Sequence, residues 1–204
     1  MKFRLLIACA FLLLGASAYS QKGEVAKLEA ATKDALDVLY GLECKDCTTE
    51  EKAAAVRSIL ERDYDLMIII RRTLARNWKL LSPAEQVQVK ELVTKLVVNS
   101  FVSGVQGLER PTVEYEELVM ITDKRFEIPS RITFPDGKVF NIVYRFGRLK
   151  TGWQIYDIVA EGVSVVANYR QQIDDHFRKG DGAGLIDKLK KLLEEGNIDE
   201  SIQL

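Results

Sequence analysis

Between Gly152 and Arg170 the spacing of apolar residues changes period within a few positions. Trp153 to Ala160 is short and rich in β-branched and aromatic residues, which is strand character. Past Gly162, the residues Val163, Val166, Tyr169, Ile173 and Phe177 recur at helical spacing. The pattern therefore predicts a strand that becomes a helix with almost no loop. Such a junction folds the helix back over the sheet it has left, and a ligand would lie between the two.

The rest of the chain divides at Pro111. Before it, helical periods dominate. Val25, Leu28, Leu36 and Leu39 predict an amphipathic helix from Lys22 to Tyr40, stopped by Gly41. Thr48-Thr-Glu-Glu51 has the spacing of a capping box and opens a helix through Ala55, Ile59 and Leu60. Leu66 to Ile70 is apolar on every side of a helix, as in a segment buried all round or facing an apolar cavity. Ser82-Pro83-Ala84-Glu85 begins a long helix whose stripe runs from Val89 to Leu108 through Phe101 and Val105, long enough to roof a sheet.

After Pro111 the period falls to two. Val113 and Tyr115 alternate, and the phase slips at Glu116-Glu117 before Leu118 and Met120, which predicts a bulge. Phe126 to Phe134 forms a strand with Pro129 inside it, a residue suited to an edge or a bulge. Pro135-Asp136-Gly137 is a turn, and Phe140, Ile142, Tyr144 and Phe146 give the next strand an aromatic face. Leu185, Ile186, Leu189, Leu192 and Leu193 end the pattern as an amphipathic helix. The expected fold is α+β: a curved, four-stranded antiparallel sheet with helices over one face and a cavity between them.

Composition changes the picture at the start. Lys2 and Arg4, the apolar run Leu5–Leu14 and Ala16-Ser-Ala18 predict a signal peptide over residues 1–20, cut after Ala18 or Ser20. The run is too short to span a bilayer, so a soluble exported chain is expected, one domain over residues 21–204. Without Lys2 and Arg4 the chain has 27 basic and 30 acidic residues, a formal charge of −3, which gives no electrostatic case for a nucleic-acid partner. Export also favours a disulfide between Cys44 and Cys47. A thioredoxin-like pair would open a βαβ unit, whereas this CxxC lies between helical patterns. One histidine and one CxxC fall short of four zinc ligands, so no metal and no cofactor is expected.

Candidate catalytic groups are few. His176 lies near Asp174 and Asp175, without a nucleophile elbow or a glycine-rich oxyanion loop. Asp157 interrupts an apolar strand face, where a buried carboxylate can act as a general base. It can equally face outward or pair with an arginine.

The densest block is Trp153-x-x-Tyr156-Asp157-x-x-x-Glu161-Gly162-Val163-Ser164, followed by Asn168-Tyr169-Arg170 and Gly184-Leu185-Ile186-Asp187-x-Leu189. It resembles the MlaC family of periplasmic phospholipid-binding proteins, auxiliary components of ABC transporters related to toluene tolerance. Asp63-Tyr-Asp-Leu-Met and Trp78-x-x-Leu-Ser82-Pro-Ala-Glu-Gln86 extend the resemblance to the helical half. It implies a deep cavity for acyl chains with the head group towards solvent. By face and motif position the expected wall residues are Tyr64, Met67, Ile70, Phe101, Val105, Ile142, Tyr144, Tyr156, Ile158, Val163 and Val166. It further implies a monomeric, non-enzymatic carrier with phospholipid as cargo. Its partners would be an inner-membrane ABC transporter complex and an outer-membrane lipoprotein complex, its role the maintenance of outer-membrane lipid asymmetry. The rivals are an exported enzyme on a cone-shaped α+β fold using Asp157, and an interaction module with a solid core.

Overall fold

The computed structural model describes the backbone of residues 3–195 and the side chains of residues 22–195. The expected signal peptide, residues 1–20, and the tail after Gly196 lie outside the described side chains. Among the described residues the helices are α1 (Phe3–Tyr40), α2 (Thr49–Asp63), α3 (Leu66–Leu74), α4 (Pro83–Gly104), α5 (Val165–His176) and α6 (Gly182–Glu195). The strands are β1 (Thr112–Tyr115), β2 (Val119–Thr122), β3 (Arg125–Thr133), β4 (Val139–Leu149), β5 (Gly152–Ala160) and β6 (Val163–Ser164).

Both expected capping boxes form. Thr48 and Ser82 accept from the backbone N–H of Glu51 and Glu85, whose carboxylates reach back to the cap N–H groups. Cys44 and Cys47 are disulfide-bonded in the short connection between α1 and α2.

The α+β class is as expected, but the antiparallel sheet has six strands rather than four, in the order β1-β3-β4-β5-β6 with β2 also paired to β3. The phase slip after Tyr115 is a break between two strands, not a bulge in one. β1 pairs with the second half of β3 and β2 with its first half. The sixth strand arises at the junction that the sequence presents as strand to helix. Glu161 and Gly162 have φ of 48° and 80°, the left-handed pair that a two-residue hairpin turn requires. Val163 therefore pairs back with Ala160, and Ser164 with Val159, before α5 begins at Val165.

Three apolar clusters hold these layers together. Leu28 and Ala31 of α1, with Tyr64, lie against Phe126, Ile128, Phe146, Trp153 and Ile155 of the sheet. Phe126 stacks on Phe146 at 4.7 Å, with the Trp153 ring edge-on to Phe126 at the same distance. A second cluster joins α3, α4, α5 and α6 through Ile70, Leu74, Val89, Leu96, Ile173 and Leu185. A third joins α1, α2 and α4 through Ala35, Val56 and Val98. The long helix α4 is 22 residues, ending at Gly104 rather than near Leu108. Its main partners are α2 and α6, so it belongs to the helical layer; the segment of α1 around Leu28 covers the sheet instead. Periodicity shows that a face is buried, not what buries it.

Asp157 joins the layers. Glu127, Arg145 and Asp157 are cross-strand partners in one row, and alternation puts that row on the face opposite Phe126 and Phe146. Arg145 donates to Glu127 at 2.8 Å and to Asp157 Oδ2 at 3.1 Å. Ser164 Oγ donates to Asp157 Oδ2 at 2.7 Å, and the Val166 N–H to Oδ1 at 3.1 Å. A buried carboxylate thus sits at the N-terminus of α5, where it meets unsatisfied N–H groups and the positive end of the helix dipole.

Two stability changes are expected from this architecture. Asp157→Ala takes from Arg145 one of its two carboxylate partners and leaves the Val166 N–H at the start of α5 without its acceptor, and should lower stability by about 2 kcal/mol, with Asp157→Asn losing less. Thermal unfolding followed by circular dichroism checks it; equal melting temperatures would contradict it. Ala75, just after α3, has φ 48° and ψ −120°, a conformation open to glycine and strained in alanine. Ala75→Gly should therefore raise stability by up to about 1 kcal/mol, read as a higher denaturant midpoint at unchanged slope.

Candidate functional site

Between α1 and the sheet lies the aromatic cluster. Phe126, Ile128 and Phe146 are fully buried there, with the Phe126 and Phe146 rings stacked. The apolar cavity lies elsewhere, among the helices. It measures about 120 Å³ and no strand residue lines it. α3 supplies Leu66, Ile69, Ile70, Thr73 and Leu74, and α4 supplies Val89, Val93, Thr94, Leu96, Val97 and Val98. Val165, Tyr169 and Ile173 of α5 form another wall, completed by Leu60 of α2 and by Leu185 and Leu189 of α6. Val97 is 53% exposed, so the cavity reaches the surface along α4.

Each wall follows from local sequence. Leu66–Ile70 has no polar side, so α3 can bury one side in the helical core and still present apolar atoms to the cavity. Asp65 fixes where that helix starts by accepting from the Met67 N–H at 3.0 Å. In α5, Ser164 caps the first turn by accepting from the Ala167 N–H, which sets Val165, Tyr169 and Ile173 in one stripe. Arg57 ties α2 to α4 by a two-pronged contact with Glu91 at 2.7 and 2.9 Å. That guanidinium holds the Glu91 carboxyl below its usual pKa.

Three hydroxyl-bearing residues interrupt the lining. Thr73 Oγ1 donates to the Ile69 carbonyl within its own helix, at 2.9 Å. Burial raises the pKa of the Tyr169 hydroxyl, which keeps it neutral at physiological pH. Thr94 Oγ1 is buried without a partner among the described residues. The site offers no acid–base pair and no cluster of charge. It can exclude water and receive hydrocarbon.

The eleven expected wall residues divide among several places. Ile70 lines the cavity. Met67 packs against the same helical core without lining it. Tyr64, Tyr144 and Ile158 belong to the sheet cluster. Burial raises the pKa of the Tyr64 and Tyr144 hydroxyls well above the usual range. Ile142 is half-buried on β4, and Tyr156 is half-buried between the guanidinium groups of Arg72 and Arg125. Phe101 is exposed on α4, while Val105 lies by a cleft that includes Cys47. Val163 is 59% exposed on β6, and Val166 is buried beside Asp157.

Val165 lines the cavity, although a stripe that starts at Val163 passes over it. The signal that finds it is Ser164 as a cap, following a two-residue turn. Val89, Val93, Leu96 and Val97 all belong to the α4 stripe visible in the sequence; what the sequence does not show is that the stripe faces α3 and α5 across a gap.

Neither catalytic candidate lies in this cavity. The Asp157 carboxylate accepts from Arg145, Ser164 and two backbone N–H groups. His176 is buried with Nε2 at 2.9 Å from the Asp181 carbonyl, bridging the end of α5 to the start of α6.

Comparison with known proteins agrees with this architecture. No curated protein matches the sequence. Among solved structures, the fold is similar to that of the phospholipid-binding protein from Ralstonia solanacearum in complex with a phospholipid. The two are 19% identical with a TM-score of 0.70, over 84% of this chain and 97% of that one. The family described as MlaC protein matches residues 29–191. With its sheet, its helical layer and most of its length inside that match, the chain belongs to the MlaC family.

Proposed function

We propose that this protein carries phospholipid through the periplasm, with the acyl chains held among α3, α4 and α5. The observation that carries the reading is the cavity: its walls are apolar, they come from separate helices, and they open to the surface at Val97. The similar phospholipid-bound protein from Ralstonia solanacearum supports the same reading.

Energetics explain why such a site is small and able to grow. A rigid empty void costs about 24 cal/mol per Å³, so 120 Å³ costs roughly 3 kcal/mol, within a domain's stability. A pocket for even a small ligand is typically about 300–1,000 Å³. To admit acyl chains the helices must therefore separate, and the cargo makes good the loss: about thirty methylenes at ~0.8 kcal/mol each amount to some 20 kcal/mol of burial. The same quantity opposes free passage of lipid through water, which is the barrier a carrier removes.

In this reading residues 1–20 direct export and are removed. The mature chain, a monomer without cofactor, exchanges lipid between an outer-membrane lipoprotein complex and an inner-membrane ABC transporter complex, and so maintains outer-membrane lipid asymmetry. It performs no catalysis, since Asp157 and His176 are occupied in holding α5.

Two valines with exposed side chains make the test. Val97 lines the cavity mouth and Val163 does not. Solvent extraction of the gently purified protein should recover about one phospholipid per chain. Val97→Glu should reduce that several-fold, because a hydrated carboxylate at the mouth puts charge and water where the acyl chains enter. Val163→Glu should leave it unchanged. Bare polypeptide from the unmodified chain would contradict the carrier, and equal lipid content in both variants would contradict this cavity.

A further inference from the structure

One end of the sheet combines exposed apolar side chains with unpaired positive charge. The turns between β2 and β3 and between β4 and β5 meet there, joined by the Arg148 N–H donating to the Lys124 carbonyl at 3.0 Å. Beside them Val119, Met120 and Ile121 of β2 are 43–53% exposed, and Leu149 is 47% exposed. Residues 122–125 and 148–151 hold four basic side chains, Lys124, Arg125, Arg148 and Lys150, against one acid, Asp123. None of the four forms an ion pair with a carboxylate among the described residues. Arg148 lies over the Trp153 ring at 5.9 Å and Arg125 over Tyr156 at 5.7 Å, so aromatic faces rather than acids position these guanidinium groups. Of the other acids near β2, Glu116 and Glu117 precede its opposite end, and Glu127, the cross-strand partner of Val119, is held by Arg145.

We infer that this tip docks on an anionic lipid bilayer. Apolar side chains beside cations, on a chain whose charge without its first 20 residues is −3, match a surface with negative head groups above hydrocarbon. The lysine and arginine stems reach the phosphate level while Ile121, Met120 and Leu149 enter the boundary below it. An acidic protein would match the charge but leave those apolar groups unexplained. The tip also meets α3, the helix that supplies one cavity wall: Arg72 of α3 lies over the same Tyr156 ring as Arg125, at 4.5 Å. Docking would thus set α3 against the membrane. The inference goes beyond lipid carriage, because vesicle binding by the tip needs no cargo.

The test is co-sedimentation of the mature chain with vesicles of phosphatidylcholine alone, or of phosphatidylcholine mixed with phosphatidylglycerol. Binding should be at least about tenfold tighter to the anionic vesicles at low salt and should be lost near 1 M salt. The double variant Lys124→Gln, Lys150→Gln should bind them on the order of tenfold more weakly. Ile121→Ser should weaken binding at every salt concentration at which the unmodified chain binds, while Arg131→Gln, at the other end of β3, should not. Equal partition to both vesicle types, or no binding to either, would overturn the inference, and the salt series on the unmodified chain decides this even if a variant misfolds. Lipid content from extraction is read separately, so loss of docking with cargo retained is distinguishable from failure of the carrier reading.

Discussion

The arrangement of the two layers depends on one carboxylate. Asp157 lies on the sheet face away from the aromatic cluster, and an acid there has to be paired. Arg145 supplies one partner from the neighbouring strand, and the first turn of α5 supplies the others. Burial would otherwise cost several kcal/mol, so the helix start is fixed where its N–H groups meet that charge. The two-residue turn at Glu161-Gly162 gives the chain no slack to start α5 elsewhere. One face of α5 then looks across at α3 and α4. The cavity wall is a consequence of how the charge is satisfied.

That placement separates a rigid core from a compliant one. Against α1, the sheet buries aromatic rings in stacked and edge-on contact. Among the helices, branched aliphatic side chains meet without interlocking rings, and a gap persists between them. Sliding helices exchanges one aliphatic contact for another, whereas opening the sheet cluster would break specific ring contacts. A domain that must change its internal volume is expected to do so in the helical layer.

Much of this was legible in the sequence. Both capping boxes, the all-apolar start of α3, the aromatic face of β4 and the disulfide depend on local chemistry, and local chemistry can be read residue by residue. The strand count and the cavity could not be read in that way. Two strands looked like one because a phase slip at Glu116-Glu117 also fits a bulge within a single strand, and only pairing to opposite halves of β3 separates them. Val163 continues the helical count of α5 by coincidence, although the left-handed pair before it turns it into a strand. In the folded chain Phe126, Phe146 and Trp153 pack on one another, while the cavity is lined mainly by Val, Leu and Ile from helices distant in sequence.

The central claim is that hydrocarbon enters among the helices rather than beneath the sheet. A phospholipid carrying a photoreactive diazirine at mid-chain, loaded into the protein and irradiated, tests this by peptide mapping of the adducts. The account places adducts within residues 66–74, 89–98 and 165–173, the three principal walls. Adducts concentrated on Phe126, Phe146 or Trp153 would contradict it.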